Sequence, residues 1–145
     1  MASVFSRLLH PFRGTPTHGV IKLYGKMTTS TSGTIASSSC DGFTITKTGS
    51  ETGRYTIQLG SSTDQLKAAE LLGCNVTIIG ADDAAYTADA GISWFVRDDD
   101  VATDGTFEIQ FSTDPTTDGT QADAELENGA IILVEITIKN SSVTP

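Results

Sequence analysis

Basic residues are scarce in this chain. Nine Lys and Arg stand against eighteen Asp and Glu, giving a formal net charge of −9 over 145 residues. Phosphate contacts need a basic face, so this balance argues against a general nucleic-acid binder. It argues equally against attraction to an anionic membrane surface. Long apolar runs are missing too, and no segment approaches the roughly 20 residues of a membrane-spanning helix. The opening MASVFSRLLHPFR has no apolar stretch of useful length. No signal peptide is legible there, and the compartment expected is a reducing cytosol. There are only two cysteines, Cys40 and Cys74. In such a compartment they are expected as buried free thiols rather than a disulfide. The glycosylation sequons at Asn75 and Asn140 then carry no meaning.

Chemical signatures are as sparse. The only two histidines, His10 and His18, have no spaced Cys or His partner, so no zinc site is expected. No G-x-S-x-G marks a serine hydrolase. The glycines fit neither a dinucleotide-binding turn nor a phosphate-binding loop. An EF-hand register started at Asp98 puts Ala102 and Thr103 where a ligand and a glycine belong, and Ile109 where the closing Glu belongs. A calcium site of another kind, from Asp98, Asp100 and Asp104, is left open beside a plain solvated acidic turn. Acids on polar loops, with no legible aromatic cleft, are weak grounds for a glycosidase. Trp94, the only tryptophan, is expected in the core or an interface. No catalytic residue, metal or cofactor is expected.

What the chain does have is alternation. Its organising stretch is DGFTITKTGSETGRYTIQL, residues 41–59. Phe43 and Ile45, then Tyr55, Ile57 and Leu59, alternate with polar residues at a period of two, the mark of half-buried strands. Gly49 and Gly53 punctuate the loop between them, so the stretch reads as a β-hairpin. Further strands are expected from His18, at Cys74–Ile79, at Ile92–Arg97, at Phe107–Phe111 and at Ala130–Lys139. A weak edge strand is expected around Thr34–Ala36. Ser62–Gly73 reads as one short helix. Ser62 would be its N-cap, Gln65 stands at capping-box spacing, Leu66, Ala69 and Leu72 share a side, and Gly73 would sit at the left-handed end. The expected fold is all-β: a compact β-sandwich or barrel of about seven or eight strands, with one short helix and an extended N-terminal arm.

Residues 1–17 form that arm, and 18–145 a single β-domain. The arm carries Phe5, Leu8, Leu9 and Phe12 with Arg7 and Arg13, and no acid. Four large apolar residues are more than a solvated tail usually holds, so these six are expected to dock on another subunit. Apolar positions on the second faces of strands, Phe95, Ile131 and Leu133, are expected at a subunit interface of a symmetric homo-oligomer, a trimer before a dimer.

The hairpin FTITKTGSETGRYTIQL and the closing IILVEITIKNSSVTP resemble stretches of small structural proteins in tailed-bacteriophage virions. The middle of the chain, LLGCNVTIIGADDAAYTADAGISWFVRDDDVATDGTFEIQF, is similar to them as well. The resemblance covers roughly residues 41–142 and rests on β-hairpin motifs. It implies a capsid decoration, or cement, protein on the capsid exterior of the virion, assembled in the host cytoplasm. Its partner would be the major capsid protein. No residue-level site carries over, since such families have no active site. The alternative is a carbohydrate- or receptor-binding β-sandwich of a head fibre or adhesin, with Tyr86, Trp94 and Phe95 as its aromatics.

Overall fold

The computed structural model describes residues 19–61, 63, 65–80, 91–113 and 122–139. Two four-stranded antiparallel sheets pack face to face. Sheet A has the order β2-β1-β8-β5 and sheet B the order β3-β4-β7-β6. The strands are β1 (Val20–Thr29), β2 (Ile35–Cys40), β3 (Phe43–Lys47), β4 (Arg54–Leu59), β5 (Glu70–Ile79), β6 (Ile92–Asp100), β7 (Thr106–Thr113) and β8 (Ile131–Lys139). The all-β sandwich is thus the observed architecture. The arm and its six docking residues lie outside the described residues, as do His10, His18 and Tyr86.

Alternation builds the core. Ile21, Leu23 and Met27 of β1 point inward with Ile132, Val134, Ile136 and Ile138 of β8. They meet Phe43, Ile45, Tyr55, Ile57, Leu59, Phe107, Ile109 and Phe111 from sheet B. Ile92, Trp94 and Val96 pack on its margin, which places Trp94 against the core. Tyr55 and Phe111 meet edge to face, with ring centroids 5.7 Å apart, a geometry that the ring quadrupoles favour.

The sheets join tightly at one edge. Asp41 and Gly42 alone separate β2 from β3, and the Asp41 amide donates to the Tyr24 carbonyl at 3.0 Å. Gly25 makes the close approach possible. A Cβ there would lie 2.4 Å from Phe43 Cζ and 2.7 Å from Cys40 Sγ, so only glycine leaves room for β3 to fold over β1. The β3–β4 hairpin forms in the expected register, Phe43 opposite Leu59 through to Lys47 opposite Tyr55. Gly49 and Gly53 take φ of +53° and +62° in its loop.

The helix expected over Ser62–Gly73 is not there. Ser62 lies outside the described residues, and β5 already begins at Glu70. Residues 65–69 before it contain no helical turn. The Leu66 amide donates to the Leu59 carbonyl, Ala68 to Val101 and Ala69 to Lys139, at 2.8–3.0 Å. Amides that a helix would bond internally instead cross to β4, to the turn after β6 and to β8. The burial agrees: Leu66 and Ala68, two apart, are buried, while Leu72 is 45% exposed. Tertiary pairing has overridden helix propensity. Leu72 is the extra residue of a bulge between Leu71 and Gly73, and Gly73 is a strand residue rather than a helix stop.

Both cysteines are free and half-buried. Cys40 is on β2 and Cys74 on β5, at opposite edges of sheet A. Three inter-strand steps at about 4.8 Å put them roughly 14 Å apart, well beyond the ~7 Å that a disulfide bridges. Burial raises both thiols, Cys74 to about 12, so they stay protonated and unreactive near neutrality.

A polar knot ties three loops. Lys47 Nζ donates to Glu125 Oε1 at 2.5 Å and also to the Ser32 carbonyl. The Gly53 amide donates to the same Glu125 oxygen at 3.0 Å. Tyr55 buries its hydroxyl beside them and donates to the Gly33 carbonyl at 2.7 Å. Burial, with Glu125 nearby, pushes the Tyr55 hydroxyl pKa up. Glu125 Oε2 is buried with no donor among the described residues, so Lys47 is the cation that keeps this carboxylate tolerable. Lys47→Met is expected to cost about 2 kcal/mol, the scale of a hydrogen bond to a charged group. Urea unfolding of the variant against the native chain measures it.

Candidate functional site: the outer face of sheet A

The same alternation that fills the core decides what each sheet shows outward. On sheet B several of the outward polar residues bond one another. Thr48 and Thr56 share a hydrogen bond of 2.8 Å, and Thr56 donates to Glu108 at 3.4 Å. Arg54 donates to Gln110 at 3.2 Å, and Gln110 in turn donates to the Thr52 and Phe111 carbonyls. Gln110 is wholly buried. Phe95, on the edge strand β6, is the exposed apolar residue of this face at 42%.

Sheet A differs. Its outward rows follow from the register. Tyr24, Glu135 and Asn75 stand side by side on β1, β8 and β5, and the next row is Lys26, Leu133 and Thr77. The row after that is Thr28, Ile131 and Ile79. Tyr24 is 49% exposed, Ile79 44% and Leu133 39%, so large side chains face solvent on strands whose other side is core. Lys22 is paired with Glu135 at 2.8 Å. That contact raises the Lys22 pKa, first through the hydrogen bond and then through the opposite charge.

The residues expected at a subunit interface therefore divide. Ile131 and Leu133 lie on the outer face of sheet A, and Phe95 on the outer face of sheet B. No single flat surface holds all three. Alternation along β1 puts Tyr24 on the face opposite Ile21 and Leu23. It does not show that Tyr24 shares a row with Asn75 and Glu135, because strand neighbours fifty and more residues apart are not written in a local pattern. No family model matches the chain, and neither a curated protein nor a solved structure matches it.

The acidic stretch is built differently from its expectation as a loop. Asp98, Asp99 and Asp100 continue β6, with Arg97 as a bulge residue. A tight turn follows, in which the amides of Thr103, Asp104 and Gly105 all donate to the Asp100 carbonyl. Val101, 2% exposed, pins the turn to the core. Among the described residues no group of three or more His, Cys, Asp or Glu is placed to hold a metal ion. Repulsion from Asp98 raises the Asp100 pKa, helped by slight desolvation and by Asp104 and Asp99. The side-chain hydrogen bond from Thr106 lowers that of Asp104. The signs are opposite. Ionised Asp100 weakens the fold above the carboxylate range, while Asp104 adds stability that is lost as pH falls through its folded pKa. Asp98→Asn removes the main repulsion on Asp100. It is expected to raise the urea midpoint at about pH 7 and to change it little near pH 2, below the carboxylate range.

Proposed function

We propose that this chain is a non-enzymatic structural protein of a tailed-bacteriophage virion. It binds the outside of the capsid and stabilises it by bridging neighbouring copies of the major capsid protein. The observation that carries the reading is the β3–β4 hairpin. The stretch FTITKTGSETGRYTIQL, whose sequence resembles such proteins, folds as a regular hairpin within a small sandwich. A bridging role needs a stable body, a docking segment and symmetry, and no reacting group.

The arm is the docking segment. Residues 1–17 precede β1, whose first residue, Val20, pairs with Lys139 at the end of β8. The arm therefore connects to the body at the Val20–Lys139 end of sheet A. Seventeen residues span up to about 55 Å at roughly 3.3 Å each, enough to reach an adjacent subunit. Phe5, Leu8, Leu9 and Phe12 contribute roughly 1.5–3 kcal/mol each when buried, and Arg7 and Arg13 orient the contact. Many identical contacts around a shell add through multivalency. Bridging also calls for a homo-oligomer, a trimer before a dimer, and Phe95, Ile131 and Leu133 are its proposed subunit contacts, on two outer faces of the sandwich.

The test is co-sedimentation with tailed-phage capsids stripped of their decoration proteins. The full chain is expected to pellet with them. A chain lacking residues 1–17 is expected to keep its β spectrum and thermal transition but stay in the supernatant. A full chain that never pellets contradicts the function. A truncated chain that binds as tightly as the full one moves the anchor from the arm to the body.

A further inference from the structure

Two open sheets leave four edges, and an edge strand pairs with any strand that reaches it unless something refuses the pairing. Three of the edges here refuse it. β2 and β3 close one side of the sandwich: only Asp41 and Gly42 join them, and Phe43 and Ile45 beside that joint are buried. β3 has five residues, and β2 has no β-branched or aromatic residue after Ile35. β6 carries a bulge at Arg97 and then Asp98, Asp99 and Asp100. A bulge and a run of like charge both turn an incoming strand away.

β5 does neither where it matters. It is ten residues long and, among the described residues, pairs with β8 alone. Its bulge lies early, between Leu71 and Gly73. From Cys74 to Ile79 the register is regular, and the run CNVTII has no charge, proline or glycine. Its valine, threonine and isoleucines are strong strand formers. The core margin behind it is open too. Leu71, Cys74 and Ile78 of β5 and Ile92, Trp94 and Val96 of β6 pack against the core but are only partly buried.

Charge and symmetry name the occupant. Two chains of net charge −9 repel, so copies meet most readily where neither presents a charge. The run is also complementary to itself. Set antiparallel about a two-fold axis at Val76, two copies oppose Cys74 with Ile78 and Asn75 with Thr77. Opposed residues of an antiparallel pair share a face. Core-side residues therefore meet core-side residues, and outward polar ones meet outward polar ones.

We propose that the free edge of β5 pairs with β5 of a second copy, antiparallel about that axis, so that two A sheets run on as one sheet of eight strands. This isologous contact covers the open margin and leaves both outer faces out of it. It adds an edge contact to the homo-oligomer of the capsid reading and rests on that reading only for its place on a shell, where it links one oligomer to the next. The pairing itself needs no capsid.

Cysteine cross-linking of the full chain tests it. Residues opposed across an antiparallel pair have Cα atoms about 4.5–5.5 Å apart, within the roughly 4.4–6.8 Å of a disulfide. Chains with Asn75→Cys mixed with chains with Thr77→Cys are expected to form a disulfide-linked pair on mild oxidation. The rate is expected to be at least about tenfold above that of the native chain or of a Thr46→Cys control on sheet B. Sedimentation velocity over a concentration series gives the second readout. A chain with both Asn75→Lys and Thr77→Lys sets like charges opposite each other twice, and is expected to self-associate about tenfold more weakly or less. Asn75, Thr77 and Thr46 are exposed, so these variants are expected to keep the native β spectrum. Leu133→Gln, on the outer face, is expected to leave the cross-linking unchanged. The proposal is overturned if the native chain stays monomeric, if the doubly substituted chain associates like the native one, or if the mixed chains cross-link no faster than the controls. A chain that pairs through β5 yet never pellets with capsids contradicts the capsid reading and leaves this contact standing. One that pellets but does not pair overturns the contact alone.

Discussion

Sheet A stands on the ladder between the first and last strands. From Val20 opposite Lys139 to Thr28 opposite Ile131, β1 and β8 pair without a break. One side of this ladder supplies Ile21, Leu23, Met27, Ile132, Val134, Ile136 and Ile138 to the core. The other side supplies Tyr24, Lys26, Leu133 and Glu135 to solvent. A slip of one residue would exchange the two sets, turning the core outward and the solvent-facing set inward. The buried aliphatic row therefore fixes the geometry of the outer face as firmly as it fixes the fold. Such a ladder joins segments about a hundred residues apart. Its loop-closure entropy must be met before its contacts help, so folding is expected to be slow for a domain of this size.

The two outer faces divide the work of the molecule. On sheet B the polar groups bond one another: Thr48, Thr56, Arg54, Glu108 and Gln110 form a closed network. The knot of Lys47, Glu125 and Gly53 then fastens the hairpin loop to the segment before β8. These contacts hold the body in one shape. On sheet A, among the described residues, the Tyr24, Asn75 and Thr77 side chains join no such network, and Lys22 pairs with Glu135.

Much of this was legible in the residues. Period-two alternation located β3, β4, β7 and β8, and it placed Ile131 and Leu133 correctly on the face of β8 away from the core. The segment before β5 was not legible, because Leu66, Ala69 and Leu72 offered a helical spacing as good as the strand spacing of Leu66 and Ala68. Only partners elsewhere in the chain, Leu59, Val101 and Lys139, decide between them. The acidic residues after Arg97 misled for a related reason. Asp98–Asp100 have poor strand propensity, yet they pair with β7 once a bulge at Arg97 and the buried Val101 hold the turn. The make-up of the outer face of sheet A was invisible for a different reason. Tyr24, Asn75 and Glu135 become neighbours only through the strand order β1-β8-β5, and no local pattern encodes that order.

The central proposal is that the sandwich decorates the outside of a phage capsid and bridges its subunits. Electron cryomicroscopy of stripped tailed-phage capsids incubated with the full chain tests this most directly. The account predicts extra density on the shell, spanning neighbouring capsid subunits, into which the two-sheet body fits. A shell with no added density, or density confined to a single capsid subunit, would contradict it.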